Sequence, residues 1–379
     1  MSEQARPFEI AIDDAVIADL KQRLNNTRWP EAETVDDWTQ GLPLDYAKTL
    51  VEYWANDYDW RAREQRLNRF PQFKMNVDGL DIHFYHVRSP EPNARPLIMT
   101  HGWPGSVVEF QNVIGPLTDP VAHGGRAEDA FHLVCPSLPG YGFSDKPSRT
   151  GCGVKAIADL WNKLMLGLGY HQYYAQGGDW GSMVTTRIAV QHPDTCLGIH
   201  VNMAVVAPDP ATLENMEPME QAAMDSMTYY SDWDSGYSSI QSTRPQTLGY
   251  GLADSPVAQL CWIVEKFHSW SDHQGHPEDV FSRDEMLDNI MLYWLNNTGA
   301  SSARLYWESF KDVDMTSPTI PVAVSIFPKE IFLASKRWCE AHFDNLSYWN
   351  AVDKGGHFAA FERSESFIEE VRKGFASMR

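Results

Sequence analysis

Apolar positions in the first seventy residues follow the spacing of helices. Val16, Leu20 and Leu24 recur every four residues, which places them on one face of a helix, and two aspartates just before them are candidate caps. A second apolar set with helical spacing contains Leu50 and Trp54. Neither set leads into an alternating pattern. This region is therefore predicted to pack as a helical segment on another region of the protein.

The apolar period changes near Phe73, where alternation begins. A short run to Val77, the turn pair Asp78-Gly79 and a second alternating run predict a β-hairpin. Short apolar runs separated by helical patterns follow, and they predict a parallel sheet that ends with a helix over residues 364–375. The strands predicted after the hairpin are residues 97–99, 133–135, 173–175, 197–203, 320–327 and 346–352.

Between residues 202 and 318 the alternation of strands and helices stops. Helical patterns rich in Tyr, Trp and Met take its place, and an insertion of this kind on a parallel sheet predicts a lid. The predicted fold class is α/β, with a mostly parallel sheet, a helical lid insertion and an amino-terminal helical extension. The predicted regions are an amino-terminal wrapping segment (1–70), a first core segment (71–204), the lid (205–317) and a second core segment (318–379).

Charge and composition narrow the classes of function. The chain has 379 residues, with 31 Lys and Arg against 51 Asp and Glu, a formal charge of −20. Such a charge argues against nucleic-acid binding. The five cysteines are scattered and never form Cys-x-x-Cys, so neither a disulfide framework nor a cysteine zinc site is expected. With no leader pattern and no long apolar run, we expect a cytoplasmic protein without a membrane span.

The strongest local motif is GGDWG at residues 177–181, between a predicted strand and a predicted helix. Its form, Gly-x-nucleophile-x-Gly, is that of a nucleophile elbow, in which a strained turn lifts the central residue above the sheet. Here the central residue is Asp179 instead of serine. An aspartate that merely caps a helix after a glycine-rich turn explains this pentapeptide equally well.

A second motif, HGWPGS at residues 101–106, directly follows the predicted strand 97–99. This is the place of the oxyanion loop in an α/β-hydrolase. The backbone N–H groups of Trp103 and Trp180 are therefore candidate donors to a developing oxyanion. The alternative is an ordinary strand-to-helix turn capped by Ser106.

A histidine and an acid complete the constellation in chain order. His357 lies in KGGHF (354–358), after a predicted strand and before the last helix, where this architecture places its base. Glu330 directly follows the predicted strand 320–327 and is the candidate acid. Asp312 and Asp314 are weaker candidates because they precede that strand.

An aspartate nucleophile narrows the reaction. A carboxylate displaces a leaving group at saturated carbon and forms an alkyl ester of the enzyme, which activated water must then hydrolyse. Halide and epoxide oxygen both fit as leaving groups, and epoxide oxygen needs a proton donor. Tyrosine suits this task because its pKa of about 10 keeps it protonated near neutrality. The lid tyrosines that composition cannot distinguish are Tyr229, Tyr230, Tyr237, Tyr250, Tyr293 and Tyr306.

Motifs along nearly the whole chain resemble the epoxide hydrolases of the microsomal and juvenile-hormone type, an α/β-hydrolase family with its own amino-terminal segment. The matching motifs are RWP (28–30), YDWR (58–61), FPQF (70–73), DGLDIHF (78–84), HGWPGS (101–106), PGYGFS (139–144), GDWGS (178–182) and GGHFAAFE (355–362).

The resemblance implies roles for particular residues. It implies Asp179 as nucleophile, Glu330 as acid and His357 as base, in agreement with the motifs. It adds two ring-opening tyrosines, Tyr237 in DSGY (234–237) and Tyr306 in RLYW (304–307). It also implies an epoxide and water as reactants, and neither a metal nor an organic cofactor. The sequence fits soluble microbial relatives better than the membrane-anchored microsomal members.

Two alternatives remain at this point. A haloalkane dehalogenase shares the aspartate nucleophile and the neighbouring tryptophan, but Tyr237, Tyr306 and the GGHFAAFE motif favour the epoxide hydrolase. A non-catalytic ligand-binding member of the fold is less favoured, since all five catalytic positions are filled. The natural substrate, a role in detoxification or in secondary metabolism, and a homo-oligomeric state stay open.

Overall fold

The fold is built on one nine-stranded sheet with the order β1-β2-β3-β5-β4-β6-β7-β8-β9. The computed structural model describes residues 4–379, so the first three residues of the predicted wrapping segment lie outside the described residues. The strands are β1 (Arg6–Phe8), β2 (Gln72–Val77), β3 (Leu80–Val87), β4 (Arg95–Thr100), β5 (Phe131–Pro136), β6 (Tyr173–Gly177), β7 (Cys196–Val201), β8 (Val322–Ile326) and β9 (Leu346–Ala351).

Strands β4 to β9 are parallel to one another, and β1 to β3 add an antiparallel edge beside β5. The hairpin and the six later strands are confirmed, with ends that shift by a few residues. Strand β1 was missed: Arg6 pairs with Lys74, but three residues that include Pro7 are too short to show an alternating pattern. The prediction that the first region is only helical was therefore wrong at this edge.

Helices cover the sheet and make up most of the amino-terminal region and of residues 205–317, which the sequence predicts as the lid and which keep that name below. Their bounds are α1 (Asp14–Asn25), α2 (Leu44–Asn56), α3 (Trp60–Leu67), α4 (Ile114–Thr118), α5 (Val154–Gly167), α6 (Trp180–Gln191), α7 (Pro218–Tyr229), α8 (Gly236–Thr243), α9 (Pro245–Asp254), α10 (Pro256–Ser269), α11 (Arg283–Trp294), α12 (Gly299–Ser309), α13 (Lys336–His342), α14 (Ala359–Glu362) and α15 (Ser364–Ala376). The domain boundaries drawn from the sequence stay predictions.

Helix α1 has the cap that its sequence indicates. The Asp13 side chain accepts from the Ala15 N–H at 2.9 Å and satisfies one free donor of the first turn. Leu20 and Leu24 are buried, whereas Val16 is 39 % exposed. Four-residue spacing places the three on one face of the helix but does not say how far the neighbouring structure covers that face.

The amino-terminal helices are attached to the lid by buried polar contacts. Arg63 in α3 pairs with Asp288 in α11, with its Nε 2.9 Å from Oδ1. The Tyr58 hydroxyl donates to the same oxygen at 2.8 Å. The Asp288 side chain is almost fully buried, and because these donors satisfy it, the pairing fixes α11 against the amino-terminal segment.

Helix α11 in turn supports the HGWPGS loop. The Asn289 amide donates to the Pro104 carbonyl at 2.8 Å, and the Tyr293 hydroxyl donates to the Gly105 carbonyl at 2.7 Å. Ser106 caps the short 3₁₀ turn Val107–Phe110 by accepting from the Val108 N–H. Within residues 4–379, no helix is long and apolar enough to cross a membrane.

Candidate active site

Asp179 occupies a sharp turn between β6 and α6, as the GGDWG motif predicted. Its backbone has a φ of 50° and a ψ of −130°, a conformation that costs a residue with a side chain about 1–3 kcal/mol. Close packing holds the turn, because a Cβ atom on Gly181 would lie 1.9 Å from the Thr100 carbonyl oxygen. The turn therefore presents the Asp179 carboxylate at the carboxyl end of the parallel strands.

One oxygen of Asp179 is held by the HGWPGS loop. The Trp103 N–H donates to Asp179 Oδ1 at 2.7 Å. Gly102 makes this approach possible, since a Cβ atom there would lie 2.0 Å from the same oxygen. Trp180 is the first residue of α6, so its backbone N–H has no partner inside the helix. Of the two N–H groups that the sequence singled out, that of Trp103 contacts the Asp179 carboxylate, and that of Trp180 directly follows Asp179 in the chain.

His357 lies between Asp179 and Glu330. Its Nε2 is 3.4 Å from Asp179 Oδ2, and its Nδ1 is 2.6 Å from Glu330 Oε1. Glu330 Oε1 also accepts from the Ile331 N–H at 2.7 Å, which fixes the acid in place. Burial works to lower the pKa of His357, but the charges of Glu330 and Asp179 and the hydrogen bonds to both raise it well above its usual value. The resting imidazole is therefore protonated.

The lid helps to hold the histidine loop. The His357 N–H donates to the Trp270 carbonyl at 2.9 Å, and the Gly355 N–H donates to Asp272 Oδ2 at 2.9 Å. The Asp272 N–H donates to Glu362, a carboxyl whose pKa burial raises to about 7. The position of His357 is thus tied to the lid as well as to the core.

The two tyrosines that the resemblance implies also reach this site. The Tyr237 ring stacks on the Trp103 indole with centroids 4.8 Å apart, and the Tyr306 ring meets the Trp180 indole edge-on at 4.8 Å. The Tyr306 hydroxyl is buried and has no hydrogen-bond partner in residues 4–379. Burial and the nearby charge of Asp179 raise the pKa of both phenols well above 10, so both stay protonated.

Tyr230 belongs to the site although no motif distinguished it. Its hydroxyl lies 3.1 Å from the Tyr237 hydroxyl and donates to Ser238 Oγ at 3.1 Å. The buried Lys266 Nζ also approaches Tyr237, at 4.9 Å from the ring centroid, and pairs with Asp234 at 2.6 Å. These neighbours hold the Tyr237 ring between the lid and Trp103.

The other candidates from the sequence lie elsewhere. Tyr229 and Tyr250 are 61 % and 70 % exposed, and Tyr293 uses its hydroxyl to support the HGWPGS loop. Asp312 pairs with Lys155 and Asp314 with Arg187. Neither aspartate is among the His357 contacts, which involve Glu330 and Asp179.

Two separate cavities meet at Asp179, the one residue of the described chain that lines both. The first, here called the substrate chamber, has a volume of about 150 Å³ and an almost wholly apolar wall. The second, here called the water chamber, is lined by Asp179 and His357 and has room of about 20 Å³. The substrate chamber is lined by Asp179, Trp180, Met183, Met203, Val205, Tyr230, Tyr237, Tyr306, Phe310, Val313, Ile331 and Phe332.

A larger groove of about 1020 Å³ lies between residues 23–47 and 254–261 and holds none of the predicted catalytic residues. Although this groove is larger than either chamber, we do not assign the reaction to it, because no predicted catalytic residue lines it. Within residues 4–379, no three or more His, Cys, Asp or Glu side chains are arranged to hold a metal ion.

Two family models match the chain. The model of the epoxide hydrolase N terminus matches residues 5–110, and the model of the α/β-hydrolase fold matches residues 95–244. Together they cover the amino-terminal segment and the region of the core that carries HGWPGS and GGDWG. The fold class predicted from the sequence is confirmed.

Relatives and solved structures agree with the models. A protein of Stigmatella aurantiaca, provisionally named an epoxide hydrolase, is 52 % identical over 98 % of this chain and 85 % of its own length. Epoxide hydrolase 1 of Sus scrofa is 37 % identical over 98 % of this chain and 88 % of its own.

The juvenile hormone epoxide hydrolase of Bombyx mori superimposes with a TM-score of 0.91 at 31 % identity, over 100 % of this chain and 95 % of that one. The Aspergillus niger epoxide hydrolase has a TM-score of 0.90 at 30 % identity, over 100 % and 97 % of the two chains. With the site described above, these similarities lead to one conclusion. The chain belongs to the epoxide hydrolases of the microsomal and juvenile-hormone type, in which an amino-terminal epoxide hydrolase segment precedes an α/β-hydrolase core.

Proposed function

We propose that this epoxide hydrolase converts an apolar epoxide to a vicinal diol through a covalent ester on Asp179. The observation that carries the proposal is the position of Asp179 between the substrate chamber and the water chamber. Tyr237 and Tyr306 face it from the first chamber, and His357 faces it from the second. The two halves of the reaction then use different sides of one carboxylate.

In the first step, Asp179 Oδ2 attacks a ring carbon of the epoxide. Oδ1 accepts from the Trp103 N–H at 2.7 Å, whereas Oδ2 has only the longer 3.4 Å contact with His357 Nε2, so Oδ2 is the oxygen that forms the new bond. The carbon–oxygen bond of the ring breaks as the new bond forms, and the ring oxygen takes a proton from Tyr237 or Tyr306. An alkoxide is more basic than a phenolate, which makes a protonated phenol an effective donor here.

In the second step, the ester is hydrolysed with the help of His357. Esterification removes the negative charge of Asp179, which was one cause of the raised pKa of His357. The imidazole therefore loses its proton more readily once the ester has formed, and this proton restores the phenol that opened the ring. Glu330 keeps the neutral imidazole oriented. Water gives a proton to Nε2 while its oxygen adds to Asp179 Cγ. The N–H groups of Trp103 and Trp180 stabilise the oxyanion at Oδ1. As the ester bond breaks, the leaving oxygen takes the proton back from His357 Nε2, the diol departs, and the proton left on the Asp179 carboxyl passes to His357.

The walls of the substrate chamber indicate the class of epoxide. Side chains such as Met183, Met203, Val205 and Phe332 offer no hydrogen bond to a substrate. Burial of apolar surface therefore supplies most of the binding free energy, at about 25 cal/mol for each Å² removed from water. An apolar epoxide fits this wall better than a charged one. A panel of aromatic, terpenoid and aliphatic epoxides with chiral analysis of the diols identifies the preferred group.

The test is to trap the ester. In a His357→Gln variant the first step remains possible and the second loses its base, so mixing with epoxide and quenching in acid is expected to leave the epoxide mass on the peptide that contains Asp179. The matched control is His200→Gln, because His200 is buried on β7 and contacts Ser325 away from the site. Rapid diol formation by His357→Gln, with no adduct, contradicts the proposal.

A further inference from the structure

The water chamber contains polar groups that the ring-opening step does not use. It has room of about 20 Å³, which is enough for one water molecule. Asp179 and His357 line it, and Glu109, Gln176 and Asn202 add polar side chains to its wall. The chamber is therefore a polar space in contact with the two groups that the second step needs.

One polar group of the water chamber lacks a partner in the protein. The Gln176 amide nitrogen donates to Asn202 Oδ1 at 2.9 Å. The Gln176 carbonyl oxygen, Oε1, is buried and has no partner in residues 4–379. Buried polar atoms of this kind are usually satisfied by an ordered water. This oxygen thus points independently to a water molecule in the chamber.

Glu109 brings a carboxyl group to the same chamber. It lies in the 3₁₀ turn Val107–Phe110 that follows the HGWPGS loop. Gly105 leaves the space that its carboxyl occupies, because a Cβ atom on Gly105 would lie 1.6 Å from Glu109 Oε1. Burial raises the pKa of Glu109 to about 8, against the opposing charge of His357. At neutral pH the group adds no second negative charge beside Asp179.

We propose that the water chamber holds the hydrolytic water and that Glu109 positions this water for attack on the Asp179 ester. The inference rests on the covalent route proposed above. The water donates one hydrogen bond to His357 Nε2 and the other to Gln176 Oε1. The protonated Glu109 carboxyl donates to one lone pair of the water oxygen, which directs the other lone pair at Asp179 Cγ. As the new carbon–oxygen bond forms, one proton of the water passes to His357. The other proton stays on the oxygen that Asp179 retains.

Rapid mixing followed by acid quench separates the two steps in the full-length protein. In Glu109→Ala, ester formation is expected to stay within about twofold of wild type, while ester hydrolysis slows by about 10- to 100-fold because the water is misplaced. The ester then accumulates, so kcat and KM fall together and kcat/KM is nearly unchanged. Glu109→Gln keeps a hydrogen-bond donor, the amide N–H, at this position and is expected to recover some of the hydrolysis rate.

A second variant displaces the Glu109 carboxyl without replacing Glu109 itself. Gly105→Ala places a methyl group where Glu109 Oε1 lies, so it is expected to slow ester hydrolysis more than ester formation. The matched control is Glu370→Gln. Glu370 is a buried carboxyl that accepts from Ser325 at 2.8 Å and from Tyr348 at 3.0 Å, outside both chambers. This control is expected to keep both rates at wild-type values.

The possible results distinguish a failure of the proposed role of Glu109 from a failure of the covalent route through Asp179. Wild-type ester hydrolysis in folded Glu109→Ala and Glu109→Gln overturns the role of Glu109. A fall of kcat/KM as large as the fall of kcat also overturns it, because that result indicates a general structural defect. If no variant, His357→Gln included, ever carries an ester on Asp179, the proposed covalent route fails instead. Circular dichroism of each variant confirms that the protein compared is folded.

Discussion

Replacing Tyr306 by Phe separates catalysis from stability. The side chain is 2 % exposed, and its hydroxyl is buried without a partner in residues 4–379. A buried hydroxyl with no partner costs a folded protein about 1–3 kcal/mol. Tyr306→Phe removes this cost and breaks no protein hydrogen bond. We therefore expect the free energy of unfolding to rise by up to about 3 kcal/mol.

The same substitution is expected to slow ring opening. The hydroxyl donates to an oxygen that becomes negatively charged, and a hydrogen bond to a charged group contributes about 1.5–3 kcal/mol. At about 1.4 kcal/mol for each factor of ten, ester formation slows by about 10- to 150-fold. Tyr237 still donates a proton in this variant, so some activity remains. The variant is thus expected to be more stable and less active than wild type. This is the result expected when a buried polar group, here the Tyr306 hydroxyl, serves catalysis at a cost in stability.

The assay combines urea denaturation with rapid-quench measurement of ester formation. The matched control is Tyr85→Phe on β3, where the buried hydroxyl donates to the Leu67 carbonyl at 2.9 Å. That control leaves a carbonyl without its donor, so it is expected to lose stability by about 1–3 kcal/mol and keep its activity. A Tyr306→Phe protein that is less stable than wild type and forms the ester within threefold of the wild-type rate refutes this reasoning.

Two further substitutions test the same site. Tyr237→Phe is expected to slow ester formation by about 10- to 150-fold. The double variant with Tyr306→Phe is expected to show no ring opening in the rapid-quench assay. A double variant as active as either single variant contradicts the role of tyrosine as the proton donor. Gly102→Ala places a Cβ atom 2.0 Å from Asp179 Oδ1, so diol formation is expected to fall by more than about 100-fold. Its control, Gly251→Ala in α9, meets no atom within 4 Å and is expected to keep full activity; equal activity in the two variants contradicts the placement of the Asp179 carboxylate.

The sequence predicted those features of the site that short motifs carry. A nucleophile elbow needs glycines within two residues of the nucleophile, so GGDWG indicates both the turn and the position of Asp179. His357 and Glu330 follow predicted strands of a parallel sheet, whose carboxyl ends meet at one edge. That rule places both residues near Asp179 without knowledge of any side-chain contact.

The features that the sequence did not predict depend on packing. A π-helical turn over Tyr230–Asp234 lies between α7 and α8, and no local pattern indicated this turn or the 3.1 Å distance between the Tyr230 and Tyr237 hydroxyls. Glu109 is one acidic residue among many until the 3₁₀ turn and the absence of a side chain at Gly105 bring its carboxyl to the water chamber. The separation of the two chambers arises from elements far apart in the chain, and helical or strand spacing carries no information about it.

Isotope labelling in a single turnover tests the covalent route most directly. Enzyme in excess over epoxide reacts once in water enriched in oxygen-18, and both the diol and the peptide that contains Asp179 are then analysed by mass spectrometry. If Asp179 is the nucleophile, the diol of this first turnover carries no label and one labelled oxygen appears in the Asp179 carboxylate. A labelled diol with an unlabelled Asp179 contradicts the account, because water has then attacked the epoxide itself.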